Sequence, residues 1–276
     1  MSASIKHRFH IVKIMLTRML YNNSELKEMK NYNNKTLNSI IKAIKTIKIS
    51  NYNDTDLKIF EKLESYRLKL MNNNSLVSYK VFGSNKVRTV SDVCKKDASK
   101  KKWCMFYYYL IKNLQSQNFL EIGTNLGVSG FYILEGLKNS SKYFFLTLEG
   151  LPQYCDIANN YFSKISPASN YKILKGLYKE TFPKVFNENK KFDTIFIDGN
   201  HTKDATIKYF EQLKNIVQYP AVFLFDDIYW SDGMEEAWEY IKKDKDVTFT
   251  IDLIKLGIVV LEKNFPQSNV NFNLIL

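Results

Sequence analysis

Two apolar segments of the chain end in acidic residues, and these acids are the residues best suited to chemistry. One segment is followed by Asp198, with His201 three residues later, and another is followed by Asp226 and Asp227. Carboxylate oxygens are the ligands that Mg²⁺ prefers, and a cation would relieve the repulsion among three neighbouring carboxylates. Histidine has an unperturbed pKa of about 6.5, which suits a general base at neutral pH. The residue types therefore indicate metal binding, proton transfer or both.

A glycine-rich turn follows an earlier apolar segment. In LEIGTNLGVSG, Gly123 and Gly127 allow the backbone to approach a ligand, and the helix that follows offers free N–H groups. The spacing is not GxGxxG, and Glu121 precedes the first glycine, which disfavours a pyrophosphate such as that of NAD. Glu149, 26 residues after Gly123, suits two ribose hydroxyls. The pattern predicts a cofactor with an ammonium, a carboxylate and a ribose; for the glycines alone, a tight strand–helix turn is the alternative.

From Trp103 onward, apolar strand patterns alternate with helical ones, and this alternation must position the acids and glycines. Strands that alternate with helices predict an α/β fold with a mostly parallel sheet. Only Lys255 and Leu256 separate the last two strand patterns, VTFTIDLI and GIVVLEK. Two residues are too few for a helical crossover, so this pair is predicted to form a terminal antiparallel hairpin.

These motifs resemble those of class I S-adenosylmethionine-dependent methyltransferases, over about residues 100–263. The most similar group is the small-molecule O-methyltransferases of the catechol O-methyltransferase type, with bacterial sugar O-methyltransferases and uncharacterised bacterial relatives. The segments EIGTNLGVS and DGNH, with FDDIYWS after it, carry the resemblance. It implies a Rossmann-like methyltransferase fold with a seven-stranded sheet, and S-adenosyl-L-methionine as the cofactor.

The resemblance also implies where the cofactor binds. It places the methionine part at Glu121, Gly123 and Ser129, and the ribose at Glu149. The adenine would lie near Gly176, Leu177 and Tyr178. The cofactor-binding residues predicted in this way are Glu121, Gly123, Thr124, Asn125, Gly127, Ser129, Glu149, Gly176, Leu177 and Asp198.

The reaction implied by the resemblance is methyl transfer to a hydroxyl of a small-molecule acceptor. A neutral hydroxyl is a poor nucleophile, so a divalent cation or a base must help to remove its proton. Asp198, Asp226 and Asp227 are therefore predicted to bind Mg²⁺, and His201 and Asp198 to be catalytic. The catechol enzymes have D-x-x-K where this chain and the sugar enzymes have D-x-x-H. Asp227 also departs from the Asn that is common in the catechol group.

Structural roles are the alternatives for these residues. Asp198 would then end its strand and border the cofactor, as an acid does in many metal-free methyltransferases. One of the paired acids would hydrogen-bond loop amides, and His201 would hydrogen-bond the acceptor or the cofactor.

The N-terminal part of the chain differs from the rest in charge. Residues 1–102 have 22 Lys and Arg against 8 Asp and Glu, a net charge of +14, and residues 103–276 have a net charge of −2. We attribute this excess to a bias towards Lys, Asn and Ile rather than to a nucleic-acid partner, since charge indicates partners only weakly. The predicted organisation is as follows: residues 1–75, a basic, mainly helical extension; 76–102, a hairpin and linker; 103–264, the cofactor-binding domain; 265–276, a tail.

The first predicted helix has an apolar stripe at spacings of three and four residues. Such a stripe usually packs on the body of its own protein, and that is the expectation here; a membrane surface is the alternative. The stripe consists of Ile5, Phe9, Val12, Leu16 and Met19.

Composition excludes some classes of protein and leaves others open. No apolar run approaches a membrane span, and the three cysteines form no CxxC, so we expect a cytoplasmic protein without disulfides or zinc. Three other functions compete with the O-methyltransferase: an RNA methyltransferase that uses residues 1–102, a non-catalytic interaction module, and a nicotinamide oxidoreductase. The intact glycine turn argues against the module, and the absent GxGxxG against the oxidoreductase. The acceptor is not predicted, and a homo-oligomer is left open.

Overall fold

The computed structural model describes residues 3–276, which fall into two compact units. One unit contains Met1–Ile41 and Lys191–Leu276, and the other contains Lys42–Lys190. The domain boundaries proposed from the sequence stay a prediction.

Helices are frequent in the first hundred residues and then alternate with strands, as the sequence predicts. The helices are α1 (Ala3–Asn31), α2 (Lys35–Ile49), α3 (Asp54–Met71), α4 (Val90–Lys96), α5 (Lys101–Leu114), α6 (Val128–Leu137), α7 (Pro152–Phe162), α8 (Tyr178–Asn187), α9 (Lys203–Leu213) and α10 (Asp232–Lys242). The strands are β1 (Leu76–Ser78), β2 (Val87–Thr89), β3 (Asn118–Ile122), β4 (Phe144–Glu149), β5 (Tyr171–Lys175), β6 (Phe192–Ile197), β7 (Val217–Asp226), β8 (Phe249–Asp252), β9 (Leu256–Leu261) and β10 (Val270–Asn273).

The unit Lys42–Lys190 contains three parallel strands in the order β3-β4-β5. Each of them is followed by a helix, α6, α7 or α8, which returns the chain to the start of the next strand. The strands β3 and β4 are buried along nearly their whole length, as expected for parallel strands covered on both faces. Ahead of them, β1 and β2 pair antiparallel within residues 76–102, the segment for which a hairpin and linker were predicted.

The other unit holds five strands in the order β10-β8-β9-β7-β6. Strand β6 pairs parallel with β7, whereas β9 runs antiparallel to both β7 and β8. The predicted mostly parallel α/β fold with a terminal antiparallel hairpin is therefore confirmed.

The predicted number of strands is too small by one. One unit has three of these strands, β3 to β5, and the other has five, β6 to β10. Seven strands were expected. The additional strand is β10, which lies in the predicted tail and pairs parallel with β8. It is only four residues long and buries one side chain, Phe272, fully, so its pattern is too short to be distinguished from a polar tail.

The apolar stripe of α1 does not pack on the body of the protein, and that expectation is wrong. Phe9, Val12, Leu16 and Met19 are each at least half exposed, and the side chain of Ile5 lies outside the described part of the chain. The opposite side of the helix is buried instead, and its inward residues are Arg18, Asn22, Leu26 and Met29. A buried charged group, rather than an apolar stripe, decides which side of α1 faces β10.

Candidate active site

The glycine-rich turn between β3 and α6 adopts the conformations that its sequence suggests. Gly123, Asn125 and Gly127 all have positive φ angles of 108°, 49° and 76°, a region that glycine and asparagine tolerate best. The backbone N–H of Asn125 donates to Glu149 Oε2 at 2.8 Å. The turn after β3 is therefore fastened to the carboxylate that ends β4.

Glu149, the last residue of β4, is largely buried. Its Oε1 accepts a hydrogen bond from the N–H of Leu151 at 2.8 Å, so both carboxylate oxygens have a backbone donor. Burial raises the pKa of Glu149, and the hydrogen bonds from Leu151, Asn125 and Gly150 only partly oppose this shift. A carboxylate has about four acceptor sites, so Glu149 can still accept a hydrogen bond from a ligand hydroxyl.

Glu121 lies deeper than the sequence suggests, with no solvent exposure. Its carboxylate accepts hydrogen bonds from Ser129 Oγ and Thr147 Oγ1, both at 2.7 Å. Thr124 Oγ1 lies 2.6 Å from Thr147 Oγ1 and extends the same network. These bonds join β3, β4, the turn and α6, so Glu121, Thr124 and Ser129 hold the turn in shape. Their predicted contact with a cofactor stays a prediction.

Gly127 has a packing role that the sequence does not reveal. A Cβ atom at this position would lie 2.8 Å from the Cβ of Ala158 in α7. At Gly130, one turn further along α6, a Cβ would lie 2.6 Å from Phe162 Cζ. Both distances are shorter than carbon atoms tolerate, so these glycines allow α6 and α7 to approach closely.

The predicted adenine segment lies directly beside the end of β4. Gly176 has a φ of 137° and donates its N–H to the carbonyl of Glu149 at 2.9 Å. At the start of α8, Glu180 accepts a hydrogen bond from the N–H of Leu177 at 3.1 Å. Gly176, Leu177 and Tyr178 are all partly exposed, so they are available to a ligand near Glu149.

A residue from the hairpin completes this region, and the sequence analysis missed it. The ring of Phe82 lies so close to Gly150 that a Cβ there would be 2.6 Å from Phe82 Cε1. The hairpin is held in place by a 2.6 Å hydrogen bond between the hydroxyls of Tyr79 and Tyr154. Half of the Phe82 side chain remains exposed. An aromatic residue followed by Gly83 at a turn was the available signal, but the contact could not be foreseen without the pairing of β1 with β2.

The predicted acids lie together in the other unit. Ile197 of β6 is paired with Phe225 of β7, so Asp198 and Asp226 each stand one residue past a paired position. Asp227 follows with a φ of 53°, which is unusual for an aspartate and turns the chain sharply after β7. Adjacent ends of parallel strands therefore gather the three carboxylates, as the sequence predicts.

Asp226 is the buried member of this acidic cluster, which we define as Asp198, Asp226 and Asp227. Its pKa lies well above the ordinary value, because it is buried and because the charge of Asp198 acts on it. One of its oxygens, Oδ1, is buried and has no hydrogen-bond partner. An unpartnered carboxylate oxygen in such a place is costly and indicates that a donor from a ligand or water belongs there.

His201 lies beside the cluster, with its Nε2 at 3.5 Å from Asp198 Oδ1. Burial alone lowers the pKa of His201. The hydrogen bond and charge of Asp198, with the charges of Asp227 and Asp226, outweigh burial, so the pKa lies above 6.5. The contact through Nε2 leaves Nδ1 as the nitrogen that can take a proton from an acceptor.

Lys255 is the residue of this site that sequence reasoning missed. Its Nζ lies 2.9 Å from Asp226 Oδ2 and 2.6 Å from Asp227 Oδ1. The signal was available, because a short antiparallel hairpin next to β7 must bring its turn to the edge where β7 ends. Asp226 is indeed paired with Leu256, the residue after Lys255.

The arrangement of the cluster does not fit the predicted Mg²⁺ ion. Within residues 3–276, no group of three or more His, Cys, Asp or Glu side chains is arranged to hold a metal. The physical reason is that the ammonium group of Lys255 already contacts one carboxylate oxygen of Asp226 and one of Asp227. Asp198 is directed to His201 instead.

Two further properties bear on the class of protein. In the part of the chain that the structure describes, no helix is both long enough and apolar enough to cross a membrane. The three cysteines, Cys94, Cys104 and Cys155, are buried free thiols.

Comparison with known proteins gives a domain match and several structures of similar fold. Residues 120–228 match the family model described as a methyltransferase domain. An O-methyltransferase from Bacillus cereus in complex with S-adenosylhomocysteine superposes with a TM-score of 0.56 and 19% identity, covering 79% of this chain and 95% of that one. The O-methyltransferase TomG from Streptomyces achromogenes, in complex with S-adenosylmethionine and involved in tomaymycin synthesis, superposes with a TM-score of 0.52 and 18% identity, covering 60% and 82%.

A third structure is the Podospora anserina methyltransferase PaMTH1 bound to S-adenosylhomocysteine. It superposes with a TM-score of 0.54 and 14% identity, covering 77% of this chain and 98% of that one. No curated protein sequence matches the chain significantly. At these identities the structural likeness establishes the fold, and with the matched domain it confirms the resemblance inferred from the sequence motifs.

Proposed function

We propose that this chain, in which residues 120–228 match the family model described as a methyltransferase domain, transfers the methyl group of S-adenosylmethionine to a hydroxyl of a small molecule. The observation that carries the proposal is the buried carboxylate of Glu149, held by two backbone N–H groups at the end of β4. The solved structures of similar fold include two named O-methyltransferases, one of them involved in tomaymycin synthesis. A small hydroxylated acceptor is therefore the partner we propose.

The residues around the first turn would bind the cofactor. Glu149 would accept a hydrogen bond from the ribose hydroxyls, since its backbone donors do not use all the acceptor sites of the carboxylate. Gly123, with its φ of 108°, would allow the backbone to pass close to the methionine part. Phe82, Gly176 and Leu177 would border the adenine. The negative charge of Glu149 would repel a pyrophosphate, so this site fits a neutral ribose better.

Methyl transfer needs the acceptor oxygen to lose its proton as the new bond forms. S-adenosylmethionine supplies, when bound, a methyl group made electrophilic by its sulfonium. His201 would take the hydroxyl proton on Nδ1, while Asp198 holds the imidazole through Nε2 and stabilises the imidazolium that results. Transfer of the methyl group from the sulfonium sulfur to the acceptor oxygen would leave the acceptor proton, and the positive charge, on His201.

Other parts of the sequence-based hypothesis stay predictions. These are a cytoplasmic location and a homo-oligomer. A nucleic-acid acceptor is not favoured, because its only support is the net charge of residues 1–102.

Calorimetric titration with S-adenosylmethionine tests the first part of the proposal. The wild type should bind with a micromolar Kd, and Glu149→Ala should weaken binding by at least tenfold, while Glu61→Ala, which removes an exposed acid of α3, should bind as the wild type does. A screen of catechols, simple phenols and sugars, with S-adenosylhomocysteine as the detected product, tests the second part. Equal binding by the two variants would contradict the assigned site, and no binding by the wild type would contradict the proposed function.

A further inference from the structure

The lysine side chain of residue 255 lies against two acids of the acidic cluster. Lys255 lies in the turn between β8 and β9, and its Nζ contacts one oxygen each of Asp226 and Asp227 at 2.9 and 2.6 Å. A lysine amine is ordinarily charged at neutral pH, and here it lies against two acids. The side chain keeps about a third of its exposure, so its ammonium group borders both the cluster and solvent.

The turn that presents Lys255 is strained and tightly supported. Ile254 has a φ of 71°, a conformation that a β-branched residue rarely adopts. The N–H of Ile254 donates to Asp252 Oδ1 at 2.8 Å, and the N–H of Leu253 donates to the carbonyl of Leu256 at 2.9 Å. Backbone strain of this kind persists where the surrounding contacts enforce it, and it occurs preferentially at functional sites.

The acid that supports the turn is itself held from three directions. Asp252 accepts hydrogen bonds from Tyr229 Oη at 2.9 Å and from Trp238 Nε1 at 3.1 Å, and it pairs with Arg18. With a side chain that is almost completely buried, Asp252 cannot rearrange freely. The position of Lys255 is therefore set by the fold.

The ammonium group of Lys255 supplies positive charge to the cluster, as a bound metal ion would. It neutralises part of the charge of Asp226 and Asp227, and His201 faces Asp198. Asp226 Oδ1 is buried and has no hydrogen-bond partner. This oxygen can accept one hydrogen bond from a ligand hydroxyl or from water.

We propose that Lys255 is the resident cation of this site, and that its ammonium group bridges Asp226 and Asp227 in place of a divalent metal. This inference rests on the proposed O-methyl transfer and deepens it. The acceptor hydroxyl would be deprotonated by His201 without a metal, and Asp226 Oδ1 would help to hold the acceptor. Lys255 is then a charge-compensating and positioning residue, because it acts through the two acids.

The test measures metal binding directly and therefore does not depend on finding the acceptor. Mn²⁺ is titrated, by calorimetry and by its paramagnetic resonance signal, into the wild type, Lys255→Met and Lys255→Arg. Lys255→Met keeps most of the length of the side chain without its charge, and Lys255→Arg keeps the charge. Lys245→Met, at an exposed lysine beyond α10, is the matched control. Circular dichroism confirms that each variant is folded.

We expect no Mn²⁺ binding at this site in the wild type, Lys255→Arg or Lys245→Met. Lys255→Met should gain binding with at least tenfold higher affinity than the wild type, and a further Asp226→Asn exchange should remove it. Mn²⁺ binding by the wild type that Asp226→Asn abolishes would overturn the proposal, and so would a Lys255→Met protein that gains none. If S-adenosylmethionine does not bind, the proposed function fails, whereas these metal titrations still decide the role of Lys255.

Turnover provides the second measurement once an acceptor is known. Wild-type activity should persist in excess EDTA, whereas Lys255→Met should lose activity at least tenfold and regain part of it when Mg²⁺ is added. Cofactor affinity should be equal in both proteins, because no proposed cofactor contact involves Lys255. Loss of wild-type turnover in EDTA would overturn the proposal.

Discussion

Arg18 of α1 and Asp252 at the end of β8 form a buried ion pair, although 234 residues separate them in the chain. The guanidinium also donates to the carbonyl of Asp252 at 3.0 Å and to Asn273 Oδ1 at 3.2 Å. Burial lowers the pKa of Arg18, but the hydrogen bond and charge of Asp252 raise it more. This pair fixes α1 to the strands β8 and β10 of the same unit.

The first prediction concerns the stability of this connection. Arg18→Met should lower the free energy of unfolding by about 3 kcal/mol, because it leaves the buried carboxylate of Asp252 without its charged partner. The loss should stay near the lower end of the usual range, since Tyr229 and Trp238 still donate to Asp252. Urea unfolding followed by circular dichroism measures the change.

Lys13→Met, at an exposed position of the same helix, is the control and should change stability by less than about 0.5 kcal/mol. Equal effects of the two substitutions would show that the ion pair does not anchor α1. The two changes remove the same charge, so they differ only in burial and in the pairing with Asp252.

The second prediction concerns the pH dependence of turnover. A general base must be neutral to accept a proton, and Asp198, Asp226 and Asp227 together raise the pKa of His201 above 6.5. The value of kcat/KM should therefore rise with pH through an inflection above 6.5. Asp198→Asn removes the largest of these charge effects, so it should move the inflection to lower pH. His201→Gln should reduce kcat/KM by about 10²–10⁴-fold.

The matched control for the histidine is His10→Gln, which removes an exposed imidazole of α1 and should leave the profile unchanged. An inflection that stays in place in Asp198→Asn would assign the titration to another group. A profile that survives in His201→Gln would exclude this histidine as the base.

The sequence predicts the parts of the fold and the site that depend on local pattern. Alternating strand and helix patterns give the parallel strands, and the strand ends of a parallel sheet converge, so Asp198 and Asp226 could be placed together before the structure was known. The register of Ile197 with Phe225 confirms that reasoning. The antiparallel hairpin of β8 and β9 was likewise predicted from the shortness of its turn.

What the sequence does not predict depends on pairing between distant segments. The role of Lys255 requires the register of Asp226 with Leu256, because a shift of one residue would direct the lysine to the other face of the sheet. The orientation of α1 depends on Arg18 meeting Asp252, and an apolar stripe on the exposed side suggests the opposite orientation. In both cases a single charged side chain, Lys255 or Arg18, and the acid that it contacts determine the arrangement.

The third prediction compares two glycines that share a backbone conformation and differ in surroundings. Gly127 and Gly83 have φ angles of 76° and 73°. A Cβ at Gly83 would meet nothing within 4 Å, whereas one at Gly127 would lie 2.8 Å from the Cβ of Ala158. Gly83→Ala should therefore lower the free energy of unfolding by about 1 kcal/mol, the cost of the left-handed conformation alone.

Gly127→Ala should add about 1–3 kcal/mol for overpacking between α6 and α7. The difference between the two variants, measured by urea unfolding, isolates the packing contribution. Equal losses would mean that α7 moves aside without cost and that Gly127 serves only the turn.

The fourth prediction concerns the contact between Phe82 and Gly150 beside the proposed ribose site. A Cβ at residue 150 would lie 2.6 Å from the ring of Phe82, so Gly150→Ala must displace that ring. If Phe82 borders the cofactor, Phe82→Ala and Gly150→Ala should each weaken S-adenosylmethionine binding by about 2–10-fold, the effect of losing one aromatic contact. The double variant should bind no more weakly than Phe82→Ala, because the alanine at residue 150 then has no ring to displace.

Calorimetric Kd values for the four proteins complete the cycle, and Val81→Ala, at an exposed residue of the same hairpin, serves as the control. Strictly additive losses would show that the two residues act on the cofactor independently, and unchanged affinity in Phe82→Ala would remove the hairpin from the binding site.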